Sequence, residues 1–284
     1  MKYFIFLTFF VSSVFAFNIN ISNSNIANGK TAIIEFKKEQ NTKYDKIVLD
    51  KKTHKIYQHP LDVNKMYVLV PISYYEKPSD KKLEIFYKEN GKQKSKIVFL
   101  RVEDGKYKKE KIKVQKSKVT LNEKDKKRAA KEYAEAMKIY GKSTPKSQIS
   151  SKFITPMNSK ITSSFGKARV YNDTLNGYHS GTDYRAKIGT PIKACNDGVV
   201  VLAKDRFYSG GTVVLDHGQG VYTCYYHMSG FNVKKGQKVS KADIIGLSGD
   251  SGRVTGPHLH FSARVSGEQV DPLQLIDLLN KKLF

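Results

Sequence analysis

The 284-residue sequence predicts a mainly β protein, with one β region before and one after a single helix. Short β-branched and aromatic runs alternate with Asn-Gly and Asp-Gly turn signals before residue 118. One helical pattern covers residues 122–140, and glycine-rich turns separate short apolar runs after residue 150. The predicted segments are a signal peptide (1–16), an N-terminal β domain (17–118), a helix and linker (119–150) and a second β domain (151–284).

The first sixteen residues have the pattern of an export signal. Met1-Lys2 is a short basic start, residues 3–10 are apolar, and Ala16 is the small residue expected at a cleavage site. The apolar run is short for a bilayer span, so a cleaved signal is favoured over the alternative of an uncleaved anchor. No later stretch is apolar enough to cross a membrane, and we expect no stable insertion after cleavage.

The chain is strongly basic, with a formal net charge of +24. Residues 17–150 carry +16 of it and residues 151–284 carry +7, the remainder being Lys2. A basic surface favours nucleic acid, anionic lipid or anionic cell-wall polymer. The export signal argues against nucleic acid, and we expect none as a partner. Lysine outnumbers arginine 43 to 7, a usage that an AT-rich genome also produces, so charge alone identifies no partner.

The N-terminal β domain is predicted to be a small β-sandwich without catalytic residues, because its strands are short and regularly spaced. His54 and His59 stand among lysines and polar residues, and we expect both to be solvated. This domain could dock a protein partner or cover a groove. The predicted strands are residues 31–36, 46–49, 66–70, 83–87 and 96–100.

The predicted helix has clear end signals. Asn122 can cap its first turn, Glu123 and Asp125 suit that turn, and Gly141 fits the C-terminal stop. Its apolar face is expected to pack on a domain, with partner binding as the alternative. That face comprises Ala130, Tyr133, Ala134, Met137 and Tyr140.

The second β domain holds 16 of the 20 glycines and five of the seven histidines, and residues 273–279 predict a short C-terminal helix. Its cysteines, Cys195 and Cys224, both lie in strand-like apolar runs. Export permits a disulfide between them, whereas two buried thiols would serve as small hydrophobic residues. The sequence leaves both alternatives open.

Candidate metal ligands occur at two places in this domain. His179 and Asp183 lie four apart, and the flanking Gly177 and Gly181 favour a strand-and-turn setting over a helix. His258 and His260 lie two apart in an apolar strand, so they share one face. Histidine and carboxylate ligands suit zinc, and a catalytic zinc site uses three of them. Each of these two motifs alone is weak evidence for a metal site. The alternative interpretation is that they are ordinary strand or turn residues.

Two further histidines differ in setting. His227 follows an aromatic strand containing Tyr222, Tyr225 and Tyr226, from which it could point into a groove. His217 lies in a glycine-flanked turn, where a structural hydrogen bond is the expected role.

Five short motifs follow one another along the second β domain. They are Ser163-Ser164-Phe165-Gly166, Tyr178-His179-Ser180-Gly181-Thr182-Asp183, Val213-Val214-Leu215-Asp216-His217-Gly218, Tyr226-His227-Met228-Ser229 and Gly256-Pro257-His258-Leu259-His260-Phe261. Their order resembles that of the lysostaphin/LytM-type zinc peptidoglycan peptidases. The resemblance covers about residues 153–272, and the upstream β domain is similar to that of two-domain Gram-negative relatives. It implies a C-terminal antiparallel β-sheet metallopeptidase domain with an open groove.

The resemblance also implies site roles. His179, Asp183 and His260 would bind one zinc per chain, and His227 and His258 would face the metal-bound water. Because no His-Glu-x-x-His motif is present, histidine is the expected base. Which of the two histidines acts as base stays open. Tyr171, Tyr178 and Tyr226 would line the substrate groove or assist the oxyanion, with packing as an equally favoured alternative for each.

The implied function is a zinc metallo-endopeptidase of the periplasm that cuts peptide cross-links between peptidoglycan stem peptides. The expected activity is that of a D,D-endopeptidase, with carboxypeptidase activity also possible, in cell-wall remodelling and cell shape. The alternative is a catalytically silent wall-binding activator of another peptidoglycan hydrolase. All five histidine and aspartate positions are present, which favours the enzyme.

Overall fold

The computed structural model describes residues 19–113, 121–171, 173 and 175–284, except the side chains of residues 171, 175 and 176. The predicted signal peptide, residues 1–16, lies outside the described residues.

The mainly β class is confirmed, with two helices and 22 strands in the described part. Strands before the first helix are β1 (Ile19–Ile21), β2 (Asn25–Ala27), β3 (Thr31–Lys37), β4 (Thr42–Leu49), β5 (Lys52–Lys55), β6 (Tyr57–Gln58), β7 (Lys65–Pro71), β8 (Ser79–Glu89), β9 (Lys92–Glu103) and β10 (Lys109–Ile112).

The remaining elements begin with helix α1 (Glu123–Tyr140) and end with helix α2 (Pro272–Lys282). The strands between them are β11 (Ile161–Ser163), β12 (Ala168–Tyr171), β13 (Leu175–Tyr178), β14 (Thr182–Arg185), β15 (Pro191–Lys193), β16 (Gly198–Arg206), β17 (Gly210–Asp216), β18 (Val221–Phe231), β19 (Lys238–Val239), β20 (Ile244–Ser248), β21 (His258–Val265) and β22 (Glu268–Val270).

The N-terminal strands form a sandwich of two sheets, in the orders β1-β3-β7-β6 and β2-β9-β8-β4-β5. Alternate residues of both sheets point inward, as the period of a half-buried strand requires. They form one buried apolar cluster that includes Ile34, Val68, Ile85 and Leu100. We refer to strands β1–β9 as the N-terminal sandwich.

The outer face of β3 and β7 packs against the C-terminal part of the chain. Ile33, Tyr67 and Leu69 belong to the same buried apolar cluster as Leu275 of α2 and Phe261 of β21. The N-terminal sandwich therefore shares a hydrophobic core with the sheet that follows helix α1.

Two histidines of the N-terminal sandwich are buried, so the prediction that they are solvated is wrong. His54 is 4% exposed and His59 is 7% exposed. His59 Nε2 lies 3.1 Å from the Lys282 carbonyl at the end of α2, which the lysine-rich local sequence does not reveal. Burial lowers the pKa of His54 to about 4, so its ring is neutral at pH 7.

Helix α1 begins and ends where the sequence predicts. The Asn122 side chain accepts a hydrogen bond from the Asp125 amide at 2.8 Å, and the Gly141 amide bonds back to the Met137 carbonyl. The predicted apolar face is mostly wrong, because Ala130, Tyr133 and Ala134 are exposed and only Tyr140 of that face is buried. Ala136, which was not predicted to belong to it, is buried as well. The buried face of the helix is rotated relative to the predicted one. The reason is that Glu132 faces the sheet and accepts a hydrogen bond from the Phe207 amide at 2.8 Å.

The C-terminal part is built on a ten-stranded sheet, with the continuous order β11-β14-β21-β18-β17-β16-β19. The strand pairs in it are antiparallel. Helix α2 is capped by Asp271, and its buried Leu275 and Leu279 pack on this sheet's core. The sheet brings β14, β21 and β18 side by side, the three strands that carry the motifs singled out in the sequence.

The two cysteines are both free and buried. Burial raises the pKa of the Cys195 thiol to about 12, which keeps it protonated and unreactive.

Among the described residues, no helix is both long and apolar enough to span a bilayer.

Candidate metal centre

Three of the predicted ligand residues meet at one end of the central strands. Asp183 on β14 lies directly opposite His260 on β21, and His179 comes from the loop that precedes β14. Asp183 Oδ1 lies 2.8 Å from His260 Nδ1 and 2.9 Å from His179 Nε2, and the two nitrogens are 3.0 Å apart. All three residues are buried, so three potential ligand atoms converge away from bulk water.

The backbone fixes the orientation of the His179 ring. Its Nδ1 donates to the Ser164 carbonyl at 2.7 Å, and the Ser163 hydroxyl lies 3.2 Å from the same nitrogen. Because a carbonyl only accepts, the proton of a neutral ring sits on Nδ1, and the lone pair of Nε2 faces Asp183. A histidine held in this way is prepared to bind a metal through Nε2.

Gly181 is required by the close packing beside His260. A β-carbon at this position would lie 2.6 Å from His260 Nε2 and 2.3 Å from the Phe261 carbonyl oxygen. Any side chain here would push β21 or the His260 ring away from the site. The glycine between His179 and Asp183 is therefore explained by the approach of the third ligand.

Electrostatics keep the ligand atoms in the protonation states that metal binding needs. Burial alone would raise the pKa of Asp183, but the adjacent His179 and His260 rings outweigh it and hold this pKa well below its usual range. Burial also lowers the pKa of His260 to about 4, although Asp183 opposes that shift. A charged Asp183 carboxylate and a neutral His260 ring result at pH 7, and both are the ligand forms.

The donor set fits zinc. Two imidazole nitrogens and one carboxylate oxygen are the types of ligand found at catalytic zinc sites, which keep a fourth position open. The carbonyl hydrogen bond to His179 Nδ1 provides the outer support that metal-binding histidines usually have. No further protein group is needed to complete a three-ligand site.

His227 and His258 form a second pair beside the three ligands. Their ring centroids are 4.9 Å apart, and His258 Nε2 lies 3.7 Å from Asp183 Oδ1. Each ring donates through Nδ1 to a carbonyl at 2.8 Å, His227 to Ser251 and His258 to Gly256. Each neutral ring therefore has an unprotonated Nε2, which can accept a proton.

A bulge in β18 brings two consecutive side chains to the site. Between the pairs Val213–Tyr225 and Gly211–Met228, the single residue Thr212 faces both Tyr226 and His227. His227 has a φ of 61°, in the left-handed region that non-glycine residues rarely adopt. Regular alternation would place Tyr226 and His227 on opposite faces, whereas the bulge lets both line one cavity.

The three predicted tyrosines have different positions. Tyr226 stacks on the His260 ring, with an interplanar angle of 12° and 5.4 Å between centroids. Tyr178 lines the same cavity and stacks on Tyr74 of the N-terminal sequence, with centroids 3.8 Å apart. The backbone of Tyr171 lies in β12, and its side chain is outside the described residues. Tyr178 thus combines the lining and packing roles that the sequence left open.

Two arginines near the site were not identified from the sequence. Arg169 donates to Glu110 of β10 at 2.6 Å and lies 3.5 Å from Asp183 Oδ2. Arg253 lines the cavity beside His227. Arg169 reaches Glu110 because β10, which precedes α1, pairs in parallel with β12. The contact between Arg169 and Glu110 joins residues 59 positions apart, so the local sequence carries no signal of it. Arg253, in contrast, lies only five residues before His258, and this proximity could have identified it from the sequence.

The part of the chain that carries this site is similar to known proteins. Residues 177–272 match the model of Peptidase family M23. Over 122 residues the chain is 46% identical to the peptidoglycan DD-endopeptidase ShyA of Vibrio cholerae, covering 42% of this chain and 28% of that protein. Over 97 residues it is 41% identical to the DD-carboxypeptidase/endopeptidase Mpg of Neisseria meningitidis, covering 34% of this chain and 22% of that protein.

A solved structure extends the similarity beyond the matched domain. The crystal structure of a Pseudomonas aeruginosa protein assigned to peptidase M23 superposes with a TM-score of 0.67 at 26% identity, covering 89% of this chain and 95% of that chain. The similarity to the two curated relatives, in contrast, spans less than a third of their length. The family resemblance drawn from the sequence motifs is confirmed.

Proposed function

We propose that this chain, which carries a Peptidase family M23 domain at residues 177–272, is a zinc-dependent hydrolase of peptide cross-links in peptidoglycan. The observation that carries the proposal is the convergence of Asp183 Oδ1, His179 Nε2 and His260 Nδ1 within 3.0 Å of one another, beside a second histidine pair. The silent-activator alternative gains no support from a site in which every one of these groups is present.

In this proposal His179, Asp183 and His260 hold one zinc ion. When bound, zinc supplies a Lewis acid for the amide carbonyl and lowers the pKa of its water to about 7. The chain itself keeps the three ligand atoms buried and close together, and it keeps His179 oriented through the Ser164 carbonyl.

We assign proton transfer to His258. Its Nε2 is unprotonated in the neutral ring and lies 3.7 Å from Asp183 Oδ1, where a carboxylate stabilises the imidazolium that forms. The same Nε2–H can then donate to the leaving amine. His227 is 8% exposed, and burial together with the neighbouring histidines lowers its pKa to about 3. It is therefore the neutral partner, whose polar ring orients substrate or water beside His258.

The proposed substrate is the cross-link between stem peptides. The relatives are named as a DD-endopeptidase and a DD-carboxypeptidase/endopeptidase, so we propose cleavage of the D-Ala–diaminopimelate bond, with trimming of terminal D-Ala as a second activity. We propose the periplasm as its location, because such a substrate lies there and the predicted signal at residues 1–16 would deliver the protein to it. Cell-wall remodelling and cell shape are the processes that this cleavage would serve.

We also propose the four segments predicted from the sequence as the functional divisions of the chain. Within them, the N-terminal β domain reaches the edge of the site, because β10 pairs with β12 and Glu110 binds Arg169. This placement supports a role in covering the groove or in docking a protein partner beside it.

The test is to digest purified sacculi with zinc-loaded protein and to separate the products by chromatography with mass spectrometry. We expect cross-linked dimers to disappear and the corresponding monomers to appear. His260→Ala is the matched inactive control. Unchanged dimers after treatment with the zinc-loaded protein would refute the proposed activity.

A further inference from the structure

We infer that Glu110, which precedes helix α1, is a positioning residue of the metal centre and acts through Arg169. This inference deepens the proposed zinc-dependent function and rests on it. Glu110 lies in β10, outside residues 177–272 that match Peptidase family M23. The part of the chain before α1 therefore contributes to how tightly the site holds its metal.

The strand register places Glu110 beside the metal ligands. β10 pairs in parallel with β12, and Glu110 lies directly opposite Arg169. Directly opposite residues of neighbouring strands point to the same face of a sheet, so the two side chains meet. Next to this pair, the His179 amide donates to the carbonyl of Lys167, the residue before β12, at 2.8 Å. Backbone pairing thus connects β10 through β12 to a metal ligand.

The Glu110 carboxylate is held by two cations. Its Oε1 accepts from Arg169 Nε at 2.6 Å, and its Oε2 lies 3.2 Å from Lys167 Nζ. Burial alone would raise the pKa of Glu110, but Arg169 and Lys167 outweigh it and lower this pKa, so the carboxylate is charged at pH 7. The side chains of Glu110 and Arg169 are 25% and 14% exposed, so water screens their attraction only in part.

Arg169 in turn contacts the surroundings of two metal ligands. Its Nη2 lies 3.5 Å from Asp183 Oδ2, while Asp183 Oδ1 is the oxygen that faces His179 and His260. The same Nη2 donates to the Ser163 hydroxyl at 3.3 Å, and that hydroxyl lies 3.2 Å from His179 Nδ1. One guanidinium therefore contacts the second oxygen of one ligand and a residue that touches the ring of another.

Glu110 favours metal binding in two ways. Its bond to Nε fixes the plane of the Arg169 guanidinium, whose Nη2 then faces Asp183 and Ser163. Its negative charge also offsets the positive charge of Arg169, which would otherwise repel a cation bound beside it. Loss of a partner that orients a metal ligand typically lowers metal affinity about 10- to 100-fold.

The experiment compares variants of the full chain in competition with a zinc chelator. Glu110→Gln keeps the size of the side chain and loses its charge, and we expect its zinc affinity to fall about 10- to 100-fold. Glu110→Asp keeps the charge and should retain most of the affinity. Glu84→Gln is the matched control, because Glu84 is 29% exposed and pairs with Lys82 in β8 of the N-terminal sandwich. It should bind zinc like the native protein.

Variants of Arg169 test whether Glu110 acts through it. In an Arg169→Gln background, Glu110→Gln should cause no further loss of zinc affinity, because the residue that it positions is gone. A full additional loss in that background would overturn the inference. Arg169→Lys keeps the charge but lacks the planar fork, so it should also bind zinc more weakly. Native affinity in Arg169→Lys would overturn the inference even if Glu110→Gln failed to fold.

Two further measurements separate positioning from a purely structural role. Urea unfolding of the metal-free proteins should give a native-like midpoint for Glu110→Gln, because the backbone pairing of β10 and β12 remains. With zinc at saturation, cleavage of a soluble cross-linked muropeptide dimer should show a lower kcat and an unchanged KM, because Glu110 binds Arg169 and not the substrate. A large loss of stability with native zinc affinity would assign Glu110 to the fold alone and overturn the inference.

The outcomes distinguish the two levels of the proposal. Native zinc affinity in Glu110→Gln, or an equal loss in Glu84→Gln, overturns the role of Glu110 and leaves the peptidase function standing. Native protein that binds zinc but leaves cross-links uncut overturns the proposed function, while the measured affinities still decide the role of Glu110. Native protein that binds no zinc overturns both.

Discussion

At the scale of single residues, His217 shows how a buried histidine can be structural. Its Nδ1 donates to the Asp197 carbonyl at 2.7 Å, and its Nε2 lies 2.7 Å from the Thr223 hydroxyl, which donates to it. Burial lowers its pKa to about 4, despite the opposing effect of Asp197. This neutral, doubly bonded ring matches the structural role expected for a histidine in that turn.

His217 should make the protein less stable in mild acid. Its folded pKa lies below the unfolded value near 6.5, so its contribution is fully present above pH 6.5 and falls as the pH drops towards 4. Between pH 7 and pH 5 this one group should remove about 2 kcal/mol of the free energy of unfolding. Urea titrations at both pH values should show a smaller loss in His217→Gln, and an equal loss in the two proteins would contradict the assignment.

Gly181 should affect metal binding. In Gly181→Ala the new β-carbon would meet His260 Nε2 at 2.6 Å, so the third ligand is displaced. We expect the zinc affinity to fall about 10- to 100-fold, as when the support of a ligand is lost. Competition with a chelator measures it. Gly230→Ala is the matched control, because no atom lies within 4 Å of the added carbon, and it should bind zinc normally.

The residue identities of the site could be predicted from the sequence, but not all of their surroundings. His258 and His260 share a face because a strand has a period of two, and Asp183 then lies opposite His260 in the register. His54 could not be placed, because its burial depends on how the two sheets of the N-terminal sandwich close over it. Glu110 could not be linked to Arg169, since their contact depends on a parallel pairing between distant strands.

At the scale of elements, the ends of helices were more predictable than their faces. Asn122 and Gly141 mark the ends of α1 through local hydrogen bonds, which the local sequence specifies. The buried face depends instead on Glu132, which binds the Phe207 amide and lies beside Arg128 and Arg206. The bulge at His227 was likewise not predicted, because its extra residue shows only in the register with β17.

Glu132 should anchor α1 to the end of β16. In Glu132→Ala the buried Phe207 amide loses its acceptor and Arg206 loses its carboxylate partner. Urea unfolding should show a loss of about 1–3 kcal/mol, the cost of leaving a buried polar group unsatisfied. Glu123→Ala removes an exposed carboxylate from the same helix and should cost less than about 0.5 kcal/mol. Equal losses in the two variants would argue against this anchoring.

At the scale of the whole molecule, the N-terminal sandwich and the C-terminal sheet are joined by shared packing. The Gln274 side chain of α2 bonds to both the amide and the carbonyl of Thr31 at 2.9 Å, and the Asp271 amide donates to the Gly29 carbonyl at 2.8 Å. The Tyr67 hydroxyl donates to Gln219 within the buried interface. The division into two β regions stays a prediction, and their common core could not be read from either half of the sequence alone.

This shared core predicts that the N-terminal sandwich and the C-terminal sheet unfold in one cooperative transition. Calorimetry of the native protein should show a single peak, and Tyr67→Phe should lower the stability of the whole protein by about 1–2 kcal/mol without splitting it. A fragment of residues 150–284 should be much less stable than the full chain, because it exposes the face that Ile33, Tyr67 and Leu69 cover. Two separate transitions would show that the two parts fold independently.

His260 is proposed to bind zinc and His258 to transfer protons. Zinc content measured together with cross-link cleavage tests these two roles most directly. His260→Ala removes a ligand and should lose both zinc and cleavage, whereas His258→Ala should bind one zinc per chain and cleave at least about 100-fold more slowly. The contradictory result would be a His258→Ala protein that cleaves like the native one, or a His260→Ala protein that keeps its zinc and its activity.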